Sequence, residues 1–198
     1  THKTKNIDFY KQNDIYFLIN KETDSFGDNF QKLHGPSICS MGWRMDDSNA
    51  AFDGAVSRGA KAGNGDFEKG STKIPSIYGI GDSLIYFIDD WKSEERFEKM
   101  GFVPLENPEV VENKGFICID HLTNNVRNGE MAKWCDFYKE IFGFTEVRYF
   151  DIRGAKTGLT SFALKAPGNG FCIPINEGTE SKSQINEYLE EYNGPGVQ

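Results

Sequence analysis

The chain has 198 residues, 38% of them hydrophobic, which is enough for one or two domains with a genuine core. Its formal net charge of -8 argues against a phosphate-backbone surface, because nucleic-acid binding needs clustered Lys and Arg to displace counterions. No apolar run approaches the roughly 20 residues that cross a bilayer, and no signal peptide is seen at Thr1, so a cytoplasmic protein with no membrane partner is expected.

In chain order, residues 6–11 and 15–20 are strand-like around Gln12, Asn13 and Asp14, which predicts a hairpin. A short helix over residues 25–33 stops at His34-Gly35-Pro36. A strand over 38–45 follows, then a helix from Ser48 to Gly59 that puts Phe52, Ala55 and Val56 on one face. After the loop-rich stretch 60–73, strands at 74–78 and 84–88 are turned by Gly79-Ile80-Gly81-Asp82. This Gly-x-Gly precedes a strand instead of opening a helix, so a hairpin turn is expected and not a nucleotide-binding loop. Residues 91–114 are charged, contain Pro104 and Pro108 and show little periodicity, as a linker would.

The second half is clearer. A strand over 116–123 precedes a helix in which Met131, Trp134, Cys135, Tyr138, Ile141 and Phe142 recur at three and four residues before Gly143 ends it. Strands over 145–152, 158–164 and 170–176 follow, and a last helix over 183–192 places Ile185, Tyr188, Leu189 and Tyr192 on one side. The pattern is α+β, divided as residues 1–90, a linker at 91–114, and residues 115–198. Ile38-Cys39-Ser40-Met41-Gly42 can be laid over Ile117-Cys118-Ile119-Asp120-His121 with a helix after each, so the first half is expected to hold part of the same unit, with Gly42 in the place of His121.

His121 is the sharpest candidate for chemistry. Alternate strand residues share a face, so Ile117, Ile119, His121 and Thr123 are expected together, and an imidazole among isoleucines needs a buried partner. A metal ion or a core hydrogen bond would each serve. His34 is expected to bond locally at a helix end, and His2 to fray with the terminus. Cys39, Cys118, Cys135 and Cys172 never fall in a Cys-x-x-Cys spacing and read as small core residues. The acidic run Asp89, Asp90, Glu94, Glu95 and Glu98 reads as a solvated surface. With one credible histidine, the chain cannot by itself assemble a site of two histidines and a carboxylate.

The run from Gly115 to Val126, with Ile119-Asp120-His121 at its centre, resembles the 4-hydroxyphenylpyruvate dioxygenases. The likeness continues through Phe137 to Phe144, Glu146 to Ile152, Thr157-Gly158-Leu159-Thr160-Ser161, Ile173-Pro174-Ile175-Asn176-Glu177, Lys182-Ser183-Gln184-Ile185 and the closing Tyr192 to Gln198. It spans nearly the whole chain and is densest from Gly115. Before Asp90 it rests on His34-Gly35-Pro36-Ser37 and Ile80-Gly81.

The resemblance implies repeated βαβββ modules of the vicinal oxygen chelate type, forming two open, barrel-like domains that are both incomplete in this fragment, with no metal in the amino-terminal one. It implies Fe(II) as cofactor, a 2-oxo acid and O2 as substrates, and His121 as one metal ligand, the second histidine and a glutamate being expected beyond Gln198. It implies that Ser161, Asn176, Gln184 and Gln198 bind substrate. The reaction implied is conversion of 4-hydroxyphenylpyruvate and O2 to homogentisate and CO2 in tyrosine catabolism. 4-Hydroxymandelate synthase and a non-catalytic binding protein on the same fold are the alternatives.

Residue by residue, other readings stay open: Ser161 as a small core hydroxyl, Asn176 bonding its own turn, Gln184 closing a capping box with Ser181, and Gln198 disordered at the terminus. The 198-residue chain itself is expected to hold iron poorly, to lack dioxygenase activity and to self-associate through unpaired strands, and the complete polypeptide to be a homo-oligomer.

Overall fold

The computed structural model describes residues 1–153, 158–180 and 182–198, so Thr157 and Ser181, named above, lie outside the described residues. Strands β1 (Ile7–Gln12) and β2 (Ile15–Asn20) form the expected antiparallel hairpin, with Asn13 supplying a positive φ of 49° at the turn. Helix α1 (Phe26–His34) starts at Ser25, whose side chain accepts from the Asp28 amide, and ends at Gly35 with φ 75°. Strand β3 (Ser40–Arg44) leads to α2 (Ser48–Ser57), capped by Asp47. Ala55 is fully buried in α2, but Val56, expected on the same face, is 38% exposed. Consecutive helical residues point about 100° apart, so 55 and 56 cannot both face the core squarely.

The stretch expected as loop contains a small hairpin, β4 (Glu68–Lys69) and β5 (Thr72–Lys73). Then β6 (Ser76–Tyr78) and β7 (Leu84–Ile88) pair antiparallel, and β3 joins β7 in parallel, giving the order β3-β7-β6. A 3-10 turn at Ile80–Asp82 makes the predicted reversal. Its Gly81 has φ 64°, and a Cβ there would lie 2.0 Å from the Pro195 carbonyl oxygen, so only glycine lets the first half meet the end of the second.

Two members of the acidic run are not simply solvated. Asp89 accepts from Lys69 Nζ at 2.9 Å and from Ser48 Oγ at 2.7 Å, tying β4 and the start of α2 to the end of β7, and Lys69 also reaches Asp90 at 3.7 Å. These bonds, Lys69 first and Ser48 second, pull the Asp89 carboxyl down to about 2. A depressed folded-state pKa stabilises above the unfolded value of about 4 and is lost as pH falls towards 2. We expect Asp89→Asn to cost about 1 kcal/mol at neutral pH, after allowance for solvent screening, and to flatten the acid limb of stability between about pH 4 and 2. Urea unfolding of both proteins across that range reads this directly.

The segment expected as linker is only partly one. Helix α3 (Arg96–Lys99) sets Phe97 4.3 Å and Phe102 5.7 Å from the Phe9 ring of β1, ring centroid to centroid. His2, expected to fray, bonds the Met100 carbonyl through Nε2 at 2.9 Å and packs edge-on to Phe102. Apolar side chains within a charged sequence run thus close the outer side of the hairpin. Residues 104–120 then run without regular structure, apart from a short pairing of Phe102 with His2 just before them.

The second half comprises β8 (Asn124–Val126), α4 (Met131–Phe142), β9 (Thr145–Arg153), β10 (Gly158–Lys165), β11 (Cys172–Gly178), α5 (Gln184–Glu191) and β12 (Gly196–Val197). Its sheet has the order β12-β8-β11-β10-β9, with β8 parallel to β11 and the other neighbours antiparallel. In both halves the strand before the helix pairs in parallel with the last strand of the unit, and both sheets stay open. Met131, Cys135, Tyr138 and Ile141 form the buried stripe of α4, and Gly143 ends it in the left-handed region.

The strand expected over 116–123 is a correction. Its strand neighbours reach no further upstream than His121, where Cys172 of β11 bridges in parallel, and Thr123, where Gln198 donates, so among the described residues those upstream of Asp120 have no strand beside them. Phe116 and Ile117 are accordingly 65% and 69% exposed, and Cys118, read as a core residue, is exposed too. The hairpin turn holds this segment instead: the Asp14 amide donates to the Ile117 carbonyl at 3.0 Å.

One core joins the halves. Trp43 of β3 packs against Tyr138, Phe142, Phe144 and Phe171, with centroids 4.8 to 6.0 Å away. Arg58 Nε donates to the Ile141 carbonyl at 2.8 Å. His34, expected to bond within its own turn, instead reaches the Tyr192 carbonyl at 2.8 Å through Nδ1 and stacks on the Tyr192 ring. Among the described residues, no helix is long and apolar enough to cross a membrane.

Candidate functional site

Strand registers decide which side chains share a face. On β11, Ile173 and Ile175 point into the core beside α4, so Cys172, Pro174, Asn176 and Gly178 point the other way. Asn176 is paired with Ser161 on β10 and with Asn125 on β8. His121 bridges Cys172 in parallel, which puts His121, Thr123 and Asn125 on this same outer face. Gly196 of β12 is paired with Asn125, and the Gln198 amide donates to the Thr123 carbonyl at 3.0 Å, bringing Gln198 onto that face as well.

The face therefore carries a row of small polar groups. Asn176 Nδ2 donates to Asn125 Oδ1 at 3.2 Å, and Asn125 Nδ2 donates to Gln198 Oε1 at 2.7 Å. Ser161 is the next residue across the sheet and is buried. His121 stands four residues along the strand from Asn125, about 13 Å at the usual rise.

Helix α5 lies against one end of this face, where glycines make room for it. A Cβ at Gly178 would meet Ser183 Oγ at 2.2 Å, and one at Gly196 would meet the Tyr192 ring at 2.4 Å. Ser183 caps α5 by accepting from the Asn186 amide.

Asn176 and Gln198 are joined through Asn125 and lie beside Ser161 on the face that the His121–Cys172 bridge extends, while His121 itself contacts Asp120. Gln198, expected to be disordered, is held by β12 and by Asn125. Gln184 does not join the row: it is the first residue of α5, exposed, and without a hydrogen bond among the described residues. The capping role it was offered with Ser181 is taken by Ser183. Asn125 is the member that sequence reasoning missed. Its signal was an even spacing, four residues after His121, which keeps the two on one face where the chain is extended.

His121 is not enclosed by isoleucines. Its side chain is half exposed, and its Nδ1 lies 3.0 Å from Asp120 Oδ1, a contact that holds the Asp120 carboxyl below the usual carboxylate range. With the Asp120 carboxylate at Nδ1, Nε2 is the ring nitrogen that a metal would take, as in metal-bound imidazoles whose other nitrogen meets a carboxylate. His121 also stands on the rim of a cavity of about 1140 Å³ whose other walls are mostly first-half residues such as Met41, Tyr86 and Phe97. Ser161, Asn176 and Gln198 do not line it. Among the described residues, no three His, Cys, Asp or Glu side chains converge to hold a metal ion.

The family described as hydroxyphenylpyruvate dioxygenase, N-terminal, matches residues 1–104, and the glyoxalase/bleomycin resistance protein/dioxygenase superfamily matches residues 118–196. Protein MelA of Shewanella colwelliana is 56% identical over 198 residues, covering all of this chain and 57% of that protein. A 4-hydroxyphenylpyruvate dioxygenase of Legionella pneumophila is 40% identical over 197 residues, again covering all of this chain and 55% of its own length. Among solved structures, a xylose isomerase-like TIM barrel/4-hydroxyphenylpyruvate dioxygenase fusion protein aligns with a TM-score of 0.74 and 26% identity, covering 100% of this chain and 30% of that one. The chain spans just over half the length of these curated relatives. Matched by the amino-terminal family over more than half of its residues, and by the superfamily over most of the rest, the chain belongs to the 4-hydroxyphenylpyruvate dioxygenase family of the vicinal oxygen chelate superfamily.

Proposed function

We propose that the protein containing this chain is an Fe(II)-dependent dioxygenase that converts 4-hydroxyphenylpyruvate and O2 to homogentisate and CO2. The observation that carries this reading is His121, its Nδ1 tied to Asp120, standing on the same sheet face as Ser161, Asn176 and Gln198.

The donor set suits the metal as far as it goes. A neutral imidazole is a ligand that non-haem Fe(II) accepts, and the adjacent carboxylate fixes its tautomer and ring angle. No group of three such side chains gathers among the described residues, so the reading calls for further ligands from outside them. Iron, when bound, supplies the electrons and the open positions at which a 2-oxo acid and dioxygen meet.

The rest of the work falls to the polypeptide. Ser161, Asn176 and Gln198 offer hydroxyl and amide groups without fixed charge, matching a ligand with a phenol at one end and a keto acid at the other. Burial of Ser161 and Asn125 keeps water from competing for those bonds. Thr123, Pro174 and Ala163, between the row and His121, form the floor on which an aromatic ring would lie.

The test is O2 uptake by the iron-loaded, full-length protein on addition of 4-hydroxyphenylpyruvate, with the product identified by chromatography. Homogentisate is the expected product. 4-Hydroxymandelate would move the assignment to side-chain hydroxylation, and absence of uptake would remove the dioxygenase reading.

A further inference from the structure

We propose that His34, in the half that contributes no side chain to the polar row, is a positioning residue for that row: by holding the end of α5 it fixes the two-residue strand β12 and, with it, the place of Gln198. The inference rests on the reading of that face as the substrate site and adds a residue that acts on it through others.

Strand β12 is too short to hold itself. It pairs with β8 through Gly196 and Val197, with one further bond from the Gln198 amide to the Thr123 carbonyl, and it stands at the edge of its sheet. An edge strand of that length frays unless something else restrains it. The restraint lies at the turn that delivers it, residues 192–195, and comes from the first half. His34 Nδ1 lies 2.8 Å from the Tyr192 carbonyl oxygen, and Asn193 Nδ2 donates to the Leu33 carbonyl at 3.4 Å. Gly81 admits the Pro195 carbonyl where a Cβ would leave only 2.0 Å. A carbonyl oxygen only accepts, so the His34 ring carries its proton on Nδ1 and donates. Tyr192 closes α5, and its carbonyl is among those that a helix end leaves without an internal partner.

Stacked rings pass the same contact on to β12. His34 packs on Phe30 of α1 at 4.4 Å and on Tyr192 at 4.5 Å, the latter within 20° of parallel. Tyr192 stacks in turn on Tyr188 at 5.0 Å, and the Tyr188 hydroxyl donates to the carbonyl of Val197, the residue before Gln198, at 2.8 Å. Tyr192 also lies against the β12 backbone, since a Cβ at Gly196 would come 2.4 Å from its ring. Phe30 and Tyr192 are both buried, so the column is rooted in α1. Displacing the Tyr192 carbonyl displaces the strand, and Gln198 then leaves the Asn125 amide that it meets at 2.7 Å.

Two substitutions separate the bond from the ring. His34→Phe keeps an aromatic ring on Phe30 and Tyr192 and removes the donor. His34→Asn sets an amide N–H near the place of Nδ1 and removes the ring. Two quantities are read on the iron-loaded, full-length protein: the anaerobic dissociation constant of 4-hydroxyphenylpyruvate, and, without the acid, hydrogen exchange of the Gln198 amide beside that of the β10 amides.

His34→Phe is expected to speed exchange at Gln198 about tenfold, to leave β10 unchanged and to weaken binding of the acid about fivefold. His34→Asn is expected to stay within about twofold of the unsubstituted protein in both quantities. Faster exchange in β10 and at Gln198 alike, or an unchanged dissociation constant in His34→Phe, would reduce His34 to a contact between the halves and overturn the proposal while leaving the substrate site in place. A His34→Asn protein that binds the acid no better than His34→Phe would overturn it too. If the unsubstituted protein does not bind 4-hydroxyphenylpyruvate, the reading of the face fails and the role given to His34 fails with it.

Discussion

Replacing His121 with alanine is expected to lower kcat/KM of the full-length protein by at least about a thousandfold, the largest effect on activity of any single change in the chain. On the proposed reading His121 is one of three iron ligands, and its loss would leave the ion held too weakly and too loosely to present adjacent open positions. Asp120→Asn should be milder, about 10- to 100-fold in iron affinity, since it removes the partner that orients the ring and not the ligand itself. Iron content by metal analysis, read beside steady-state O2 uptake, separates the two. If His121→Ala retains iron and turnover, the imidazole is a surface residue with a carboxylate neighbour and nothing more.

The largest effect on stability is expected at Trp43. Its indole is almost fully buried and touches rings from α4 and from the segments flanking the second sheet, so it is shared between the halves. Trp43→Ala should cost about 3 to 5 kcal/mol, combining lost burial with the cavity left behind. A thermal midpoint lower by roughly 10 °C follows for a chain of this length. Phe142→Ala lies against the same ring at 4.8 Å, so the double variant should lose less than the sum of the two. A Trp43→Ala cost below about 1 kcal/mol, or two separate unfolding transitions in the unsubstituted protein, would show that the halves do not share a core.

The elements legible in the sequence were those whose signal is local. The three- and four-residue spacing of Met131, Cys135, Tyr138 and Ile141 announces α4, and Gly143 its end, because helix packing and capping need only neighbours in the chain. The reversal at Gly79 to Asp82 and the stop of α1 at Gly35 are of the same kind.

What was missed depends on distant partners. Residues 116–120 have the composition of a strand, yet a strand requires a neighbour, and β11 begins too late to supply one. Phe97 and Phe102 sit in a charged run that reads as linker, and their packing comes from a distant partner, the Phe9 ring of the β1–β2 hairpin. The row joining Ser161, Asn176, Asn125 and Gln198 arises from the order of four strands, which no single segment encodes.

The account stands or falls on where iron sits. An anomalous-difference map at the iron edge, from crystals of the iron-loaded full-length protein, is predicted to place one peak about 2 Å from His121 Nε2, with Asp120 still on Nδ1. A peak bound elsewhere, with the His121 ring bonded only to protein groups or solvent, would contradict it.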